Sequence, residues 1–241
     1  MKRIQRLPLS QRAIEVLLRR AQMVAGAADP RAEARRLWKR QSNKTFQEIR
    51  DVLKRMATGI ERCMYCEDSQ GTAIEHFWPK SVYPERAFDW FNYLIACSGC
   101  NSNVKRDQFP LNEAGEPFLV NPTEEDPLDH LSLITATGDY HPLSLKGDSS
   151  IGVFGLNRTT LSDGRRDAWV SMQSLLVDYA YARERSDDEW ADSIERAVRR
   201  HPFAGVLATL LRISQSPDTD FLVSPECLQA IQAHPKILGW I

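Results

Sequence analysis

Apolar positions recur at helical spacing through the first sixty residues. Ile14, Val16, Leu17, Leu18, Ala21 and Val24 form a stripe that predicts a helix over 10–26, with Ser10 at its N-cap. Asp29-Pro30 predicts a second start, with proline in the first helical position, for a helix running through Leu37 and Trp38. Thr45-Phe46-Gln47-Glu48 fits a capping box. Phe46, Ile49, Val52, Leu53 and Met56 then share one face, and Gly59 is the expected terminator. The period changes in the middle of the chain. Ile74 to Trp78 predicts a strand that Pro79 ends, and a further helix is expected to begin near Asn101. Residues 111–150, rich in Pro, Gly, Asp and Thr, predict loops with short strands. Asn157-Arg158-Thr159-Thr160-Leu161 opens a helical region with helices expected over 160–185, 187–200, 203–214 and 225–232, the last started by Ser224-Pro225. The chain has no internal repeat and no low-complexity tract.

Composition is that of an ordinary globular protein, with 26% charged and 42% hydrophobic residues over 241 positions. No apolar run approaches the roughly 18–20 residues that span a bilayer, so no membrane partner is expected. The basic start, Met1 to Arg6, is not followed by an apolar signal core, and a cytoplasmic location is the expectation. The net charge of −1 hides an asymmetry. Residues 1–62 hold 16 Lys and Arg against 6 Asp and Glu, while residues 111–241 hold 11 against 20. A basic first quarter can hold a phosphate backbone or be a set of solvated helix faces.

Chemistry concentrates between two knuckles, Cys63-Met64-Tyr65-Cys66 and Cys97-Ser98-Gly99-Cys100. In a reducing compartment such pairs favour metal over disulfide. Four thiolates close a tetrahedral shell with no position left for substrate, which points to structural Zn2+; an iron–sulfur cluster takes the same ligands. The fifth cysteine, Cys227, reads as a small buried apolar residue.

Between the knuckles lies Glu75-His76, with Asn92 and Asn101 at the far end of the same segment. A carboxylate and an amide oxygen suit a hard cation, Mg2+ or Mn2+. A neutral histidine beside that cation can take a proton from an attacking water. Lys80, Lys105 and Arg106 are candidates for contacting phosphates. His130, His141, His201 and His234 have no metal-spaced neighbours and read as structural or surface groups.

Glu75-His76, Asn92-Tyr93-Leu94 and Cys97-Ser98-Gly99-Cys100-Asn101, with Lys105 following, resemble the HNH, or ββα-metal, nuclease family. The resemblance implies His76 as general base, and Glu75 and Asn101 as ligands of one catalytic divalent ion. It implies Asn92 as the residue that orients the histidine-bearing loop, and the four cysteines as a zinc staple. The chain has Glu where Asp or His is usual before the histidine, and Asn rather than His after the second knuckle. Both substitutes keep an oxygen ligand. The implied fold is α+β and mostly helical: a zinc-stapled module over 63–110, between basic N-terminal helices over 1–62 and an acidic, loop-rich then helical region over 111–241.

A narrower branch resembles residues 60–170: the nuclease subunits of Septu and some retron anti-phage systems, known as PtuB. The matching stretches are Ile74 to Ser81, Phe88 to Leu94, Phe109-Pro110, Asn121-Pro122, Asp126 to Leu131, Gly155 to Arg158 and Arg165-Arg166. That resemblance implies DNA cleavage in bacterial defence together with a PtuA-like ATPase of the ABC/SMC type. Cleavage of RNA such as tRNA, and a zinc-dependent nucleic-acid or protein-binding module without catalysis, are the alternatives. Trp169, Tyr179, Tyr181 and Trp190 read either as helical-core residues or as anchors of a protein interface.

Overall fold

Ser10, Asp29 and Asn43 each close the start of a helix by accepting a backbone N–H three residues on. These caps begin α1 (Gln11–Ala25), α2 (Pro30–Trp38) and α3 (Lys44–Met56). The structure is a computed structural model that describes residues 1–41, 43–216 and 221–241. The capping box expected at Thr45 does not form. Asn43 takes the cap, and Glu48 instead accepts from both the backbone and the hydroxyl of Ser10, tying α3 to the start of α1. α3 ends at Met56, before Gly59, which lies in the turn beyond it with φ +59°. Of the α1 stripe, Leu17 and Val24 are buried beside Ala13; Val16 and Ala21 are half-buried, and Ile14 and Leu18 stay exposed.

The strand expected over 74–78 is β1 (Ala73–His76), which pairs antiparallel with β2 (Tyr93–Ala96), placing Glu75 opposite Leu94 and His76 opposite Tyr93. The helix after the second knuckle is a π-helix, Gly99–Lys105, closed by the Arg106 N–H on the Asn101 carbonyl at 2.8 Å. Arg106 leaves it at φ 50°, ψ −121°, outside the ordinary regions for a residue with a side chain. Region 111–150 does contain short strands as expected, and they pair as a hairpin, β3 (Leu131–Leu133) with β4 (Tyr140–Pro142). It also runs into an unexpected helix, α4 (Leu145–Phe154), whose two glycines and Asp-Ser-Ser run read as loop. Tertiary packing overrides that weak propensity. Ser144 caps the helix, Gly147 lies against the His130 carbonyl where a Cβ would come within 2.0 Å, and Phe154 is fully buried.

α5 (Thr159–Glu184) is the long element of the C-terminal region, and α6 (Asp188–Arg200), α7 (Ala204–Ile213) and α8 (Pro225–Ala233) pack on it. The four aromatic candidates divide: Trp169 and Tyr179 are buried, while Tyr181 and Trp190 are exposed. Among the described residues no helix is long and apolar enough to cross a membrane.

One continuous core joins the three regions, with Leu37 and Phe46, Cys63 and Tyr93, and Leu176 and Trp240 in the same cluster. Glu67, buried beside Cys66, is a junction. Its carboxylate accepts the N–H groups of Lys2 and Gly205, each at 2.9 Å, and lies 3.0 Å from the Met1 amine.

Candidate active site and metal centre

The end of α3 delivers the chain to the first knuckle, and β2 delivers it to the second. The Met64 N–H donates to the Ile95 carbonyl at 3.0 Å, which draws the first knuckle onto β2. The sulfurs of Cys63, Cys66, Cys97 and Cys100 consequently lie within 4.8 Å of one another, all in buried residues. The Cys66 and Cys97 sulfurs are 3.9 Å apart. Tetrahedral zinc with Zn–S of about 2.3 Å needs sulfurs about 3.8 Å apart. The donor set therefore fits a zinc ion.

The thiols perturb one another strongly. Hydrogen bonds from Cys100, Cys63 and Cys66 pull Cys97 far below the usual thiol range, and hydrogen bonding to Cys100 and its neighbours pushes Cys63 well above it. Four such groups ionise together only with a cation among them. Arg158 adds positive charge from outside, its Nη2 lying 3.5 Å from the Cys100 sulfur. Gly155 makes room for it: the residue ends α4 at φ +59°, and a Cβ there would lie 2.9 Å from Arg158 Nη1.

Glu75 and His76 end β1 and point to different surroundings, as successive strand residues must. His76 is 3% exposed. Its Nε2 lies 3.1 Å from the Ala87 carbonyl, which can only accept, so Nε2 carries the proton and Nδ1 keeps a free lone pair. Trp38, the last residue of α2, packs edge-on at 4.3 Å between centroids, and Tyr93 at 5.2 Å. Burial, aided by the positive charges of Lys80 and Lys105, lowers the His76 pKa to about 3.

Glu75 is equally buried, and burial raises its pKa against the opposing charge of Lys105. The Lys105 ammonium forms a 2.7 Å ion pair with Glu75 Oε1, and that oxygen takes no further hydrogen bond among the described residues. The same ammonium donates to the His76 carbonyl at 3.0 Å. Lys105 is thus not a surface group available to phosphate: the π-helix turns it into the interior, where it is 0% exposed. Lys80 is half-buried with its ammonium 5.4 Å from the centre of the Trp38 ring, and Arg106 is exposed. Tyr65, from the first knuckle, stacks on Phe154 at 4.0 Å and has a buried hydroxyl without a partner; burial and the Glu75 charge raise its pKa.

Asn92 closes the loop that follows β1. Its Oδ1 accepts the Trp78 N–H at 2.7 Å, and its Nδ2 donates to the Trp78 and Arg86 carbonyls at 3.0 and 2.9 Å. Its backbone carbonyl accepts the Phe77 N–H at 2.9 Å. Asn101 is half-exposed in the π-helix, and its side chain takes no hydrogen bond among the described residues. Sequence reasoning missed Trp38, Tyr65, Ala87 and Arg158. Of these, Tyr65 lies inside the first knuckle and Arg158 inside a stretch that resembles PtuB, but neither position by itself assigns a role.

The comparisons with known proteins agree with one another. Over 149 residues, 49% of this chain, it is 33% identical to "Septu protein PtuB" of Bacillus mycoides (strain KBAB4). The chain is homologous to Septu protein PtuB. A PtuB of Bacillus thuringiensis is 30% identical over 102 residues, 40% of this chain and 37% of that protein. The chain spans about half the length of the Bacillus mycoides PtuB and less of the other. No family model matches the chain. Homology to PtuB and the four-cysteine group accord with an HNH nuclease scaffold.

Proposed function

We propose that the chain is a metal-dependent HNH-type endonuclease, the DNA-cleaving component of a Septu-type anti-phage system that works with a PtuA-like ATPase of the ABC/SMC type. The observation that carries this reading is the end of β1. There a buried carboxylate and a histidine with a bare Nδ1 occupy successive positions of a strand held between two knuckles of one four-cysteine group.

In this reading His76 is the general base. The Ala87 carbonyl holds its proton on Nε2 and aims Nδ1, which takes a proton from water as that water attacks the phosphorus in line; the bond from phosphorus to the 3′ oxygen on the opposite side breaks, and that oxygen leaves and is protonated from solvent. A base with a pKa near 3 is weak at neutral pH. The negative charge of a phosphodiester and withdrawal of Trp38 both raise it toward the ordinary value of about 6.5. Asn92 contributes by holding the loop and does not touch substrate. Glu75 and Asn101 would hold Mg2+ or Mn2+, whose charge offsets that developing on the phosphoryl oxygens. The unused hydrogen-bonding capacity of Glu75 Oε1 and of the Asn101 amide suits an oxygen-coordinated cation. Because Lys105 already faces Glu75, it must yield or share that carboxylate when a cation binds.

The test is nicking of supercoiled plasmid in magnesium or manganese, wild type beside His76→Ala, with and without the ATPase, and with tRNA offered in parallel. Loss of cleavage in His76→Ala supports the reading, and equal cleavage by both removes it. The burial of His76 under Trp38 favours one second reading, a zinc-dependent nucleic-acid-binding module without catalysis. Binding without cleavage of either nucleic acid, with any metal or partner, would establish that instead.

A further inference from the structure

The loop between α2 and α3 has a composition unlike the rest of the chain. From 34 to 47 it and its flanking turns hold Arg35, Arg36, Lys39, Arg40 and Lys44 and no acidic residue. Arg36 is bound to Glu33. Arg35, Lys39, Arg40 and Lys44 are exposed, and among the described residues none forms a salt bridge. We propose that this loop and the two helix ends framing it are the surface that receives the phosphate backbone of a nucleic acid and leads it to His76. The assignment of a substrate path rests on the nuclease reading above; the assignment of a nucleic-acid surface does not.

Three observations support it. The first is position. Trp38 ends α2 immediately before Lys39 and Arg40, packs 4.3 Å from the His76 ring, and carries the Lys80 ammonium over its own ring. The loop cations therefore begin one residue from the group that covers the candidate base.

The second is preorganisation. Arg20 of α1 donates to the Leu37 and Arg40 carbonyls at 3.1 and 2.9 Å. Arg50 of α3 donates to the Gln41 carbonyl at 3.3 Å, and Asn43 caps α3. The backbone at Leu37, Arg40 and Gln41 is held by these bonds while the side chains of Lys39, Arg40 and Lys44 remain exposed, which lowers the ordering needed on binding.

The third is the direction of the helix dipoles. Cations at the end of α2 interact favourably with its C-terminus and need no ligand to explain them. Lys44 has no such explanation. It is the first residue of α3, where the helix dipole disfavours a cation, and it adds to the charge of Lys39 and Arg40 instead of dispersing it. An anion bound over the loop offsets both costs. A phosphodiester backbone supplies one charge after another along a line, which suits a series of cations ending at a hydrolytic site. Residues 111–241, with 20 acidic against 11 basic residues, repel the same strand and limit it to this face.

The experiment uses the full chain carrying His76→Ala, so that nothing is cut, and titrates fluorescently labelled duplex DNA, single-stranded DNA and RNA by anisotropy at several salt concentrations. Lys39→Ala/Arg40→Ala/Lys44→Ala is compared with Arg185→Ala/Arg196→Ala/Lys236→Ala, which removes equal charge elsewhere. The loop variant should lose about tenfold or more in affinity for at least one of the three at about 50 mM salt. Its log–log salt slope on duplex DNA should fall by roughly two to three. The control should stay within about twofold. Unchanged binding by the loop variant, equal loss in both variants, or no binding to any of the three nucleic acids overturns the proposal. So does a loop variant that binds nucleic acid normally but no longer binds the ATPase, since the surface then serves a protein. Plasmid nicking is read in parallel on chains that keep His76: weakened binding by the loop variant, where the His76 chain never cuts, would leave this surface standing and remove the nuclease reading. Normal cleavage with unaltered binding would do the reverse.

Discussion

The Lys105 ammonium lies 2.7 Å from the Glu75 carboxylate and 3.0 Å from the carbonyl of the next residue, His76. A single cation thereby fixes both the side chain of one candidate residue and the backbone of the other. Neither charge reaches solvent, so each depends on its partner.

Lys105→Met should destabilise the chain by about 3–5 kcal/mol, because it leaves a buried carboxylate without its counter-charge. Lys105→Met/Glu75→Gln should recover much of that loss, since no uncompensated charge remains. Urea unfolding of the two variants measures the difference. A double variant no more stable than Lys105→Met would mean the pair is not what holds this interior together.

The depressed pKa of His76 gives stability a definite pH dependence. Between about 3 and the unfolded value of about 6.5 the unfolded chain holds a proton that the native chain lacks, so stability falls as pH drops through that window. In mid-window the slope from this residue approaches about 1.4 kcal/mol per pH unit. Lys80 and Lys105 are the cations that face it, and Trp38 and Tyr93 exclude water. The stability of His76→Gln should depend less steeply on pH than that of wild type between about pH 4 and 6. Parallel curves for the two proteins would show that His76 is already protonated or already exposed.

Trp38→Ala should uncover the imidazole and raise its pKa toward about 6.5. NMR titration of the His76 ring reads the shift directly. If cleavage is observed, the acid limb of its pH–rate profile should move up with that pKa in the same variant. An unmoved His76 resonance would assign the burial to Tyr93 and the segment around Ala87 alone.

Cys97→Ser should abolish zinc retention, from about one ion per chain, and destabilise the chain as a whole, since the knuckles belong to one continuous core. Elemental analysis alongside circular dichroism checks both. A folded Cys97→Ser protein of unchanged melting temperature would remove the structural metal from this account.

Cleavage, where present, should fall roughly 10²–10⁴-fold in His76→Ala, the range for loss of a general base. It should fall in Glu75→Gln as well, with metal affinity reduced, whereas Asn92→Ala should reduce both folding and activity by loosening the loop after β1.

The parts of this fold that were legible in the sequence are those set by local chemistry. Ser10, Asp29-Pro30 and Ser224-Pro225 start helices where their side chains can accept an N–H, and the spacing within each Cys-x-x-Cys knuckle lets its two sulfurs reach one point. The parts that were not legible depend on partners remote in sequence. Glu48 had the right spacing for a capping box, yet Ser10 captured it from 38 residues away. α4 forms from a poor helical sequence because its glycine fits against His130 and its phenylalanine stacks on Tyr65. Lys105 looked like a surface cation because nothing nearby revealed that a π-helix would turn it inward. Within the candidate site, the residue types and their order could be read, but not the cover over His76, which comes from Trp38, far upstream in the chain.

Glu67 gives the four-cysteine group a reach far beyond its own loops. Because the residue beside Cys66 grips the second residue of the chain and the start of α7 with one carboxylate, the knuckle behaves as a rivet through parts of the polypeptide that lie near its opposite ends. Oxidation or chelation at those sulfurs would therefore not fray a small module while the helices stayed intact. It would release the N-terminal stretch and the C-terminal helices together, so melting should occur in a single step, and the loss of a metal held there would be felt across the whole molecule at once.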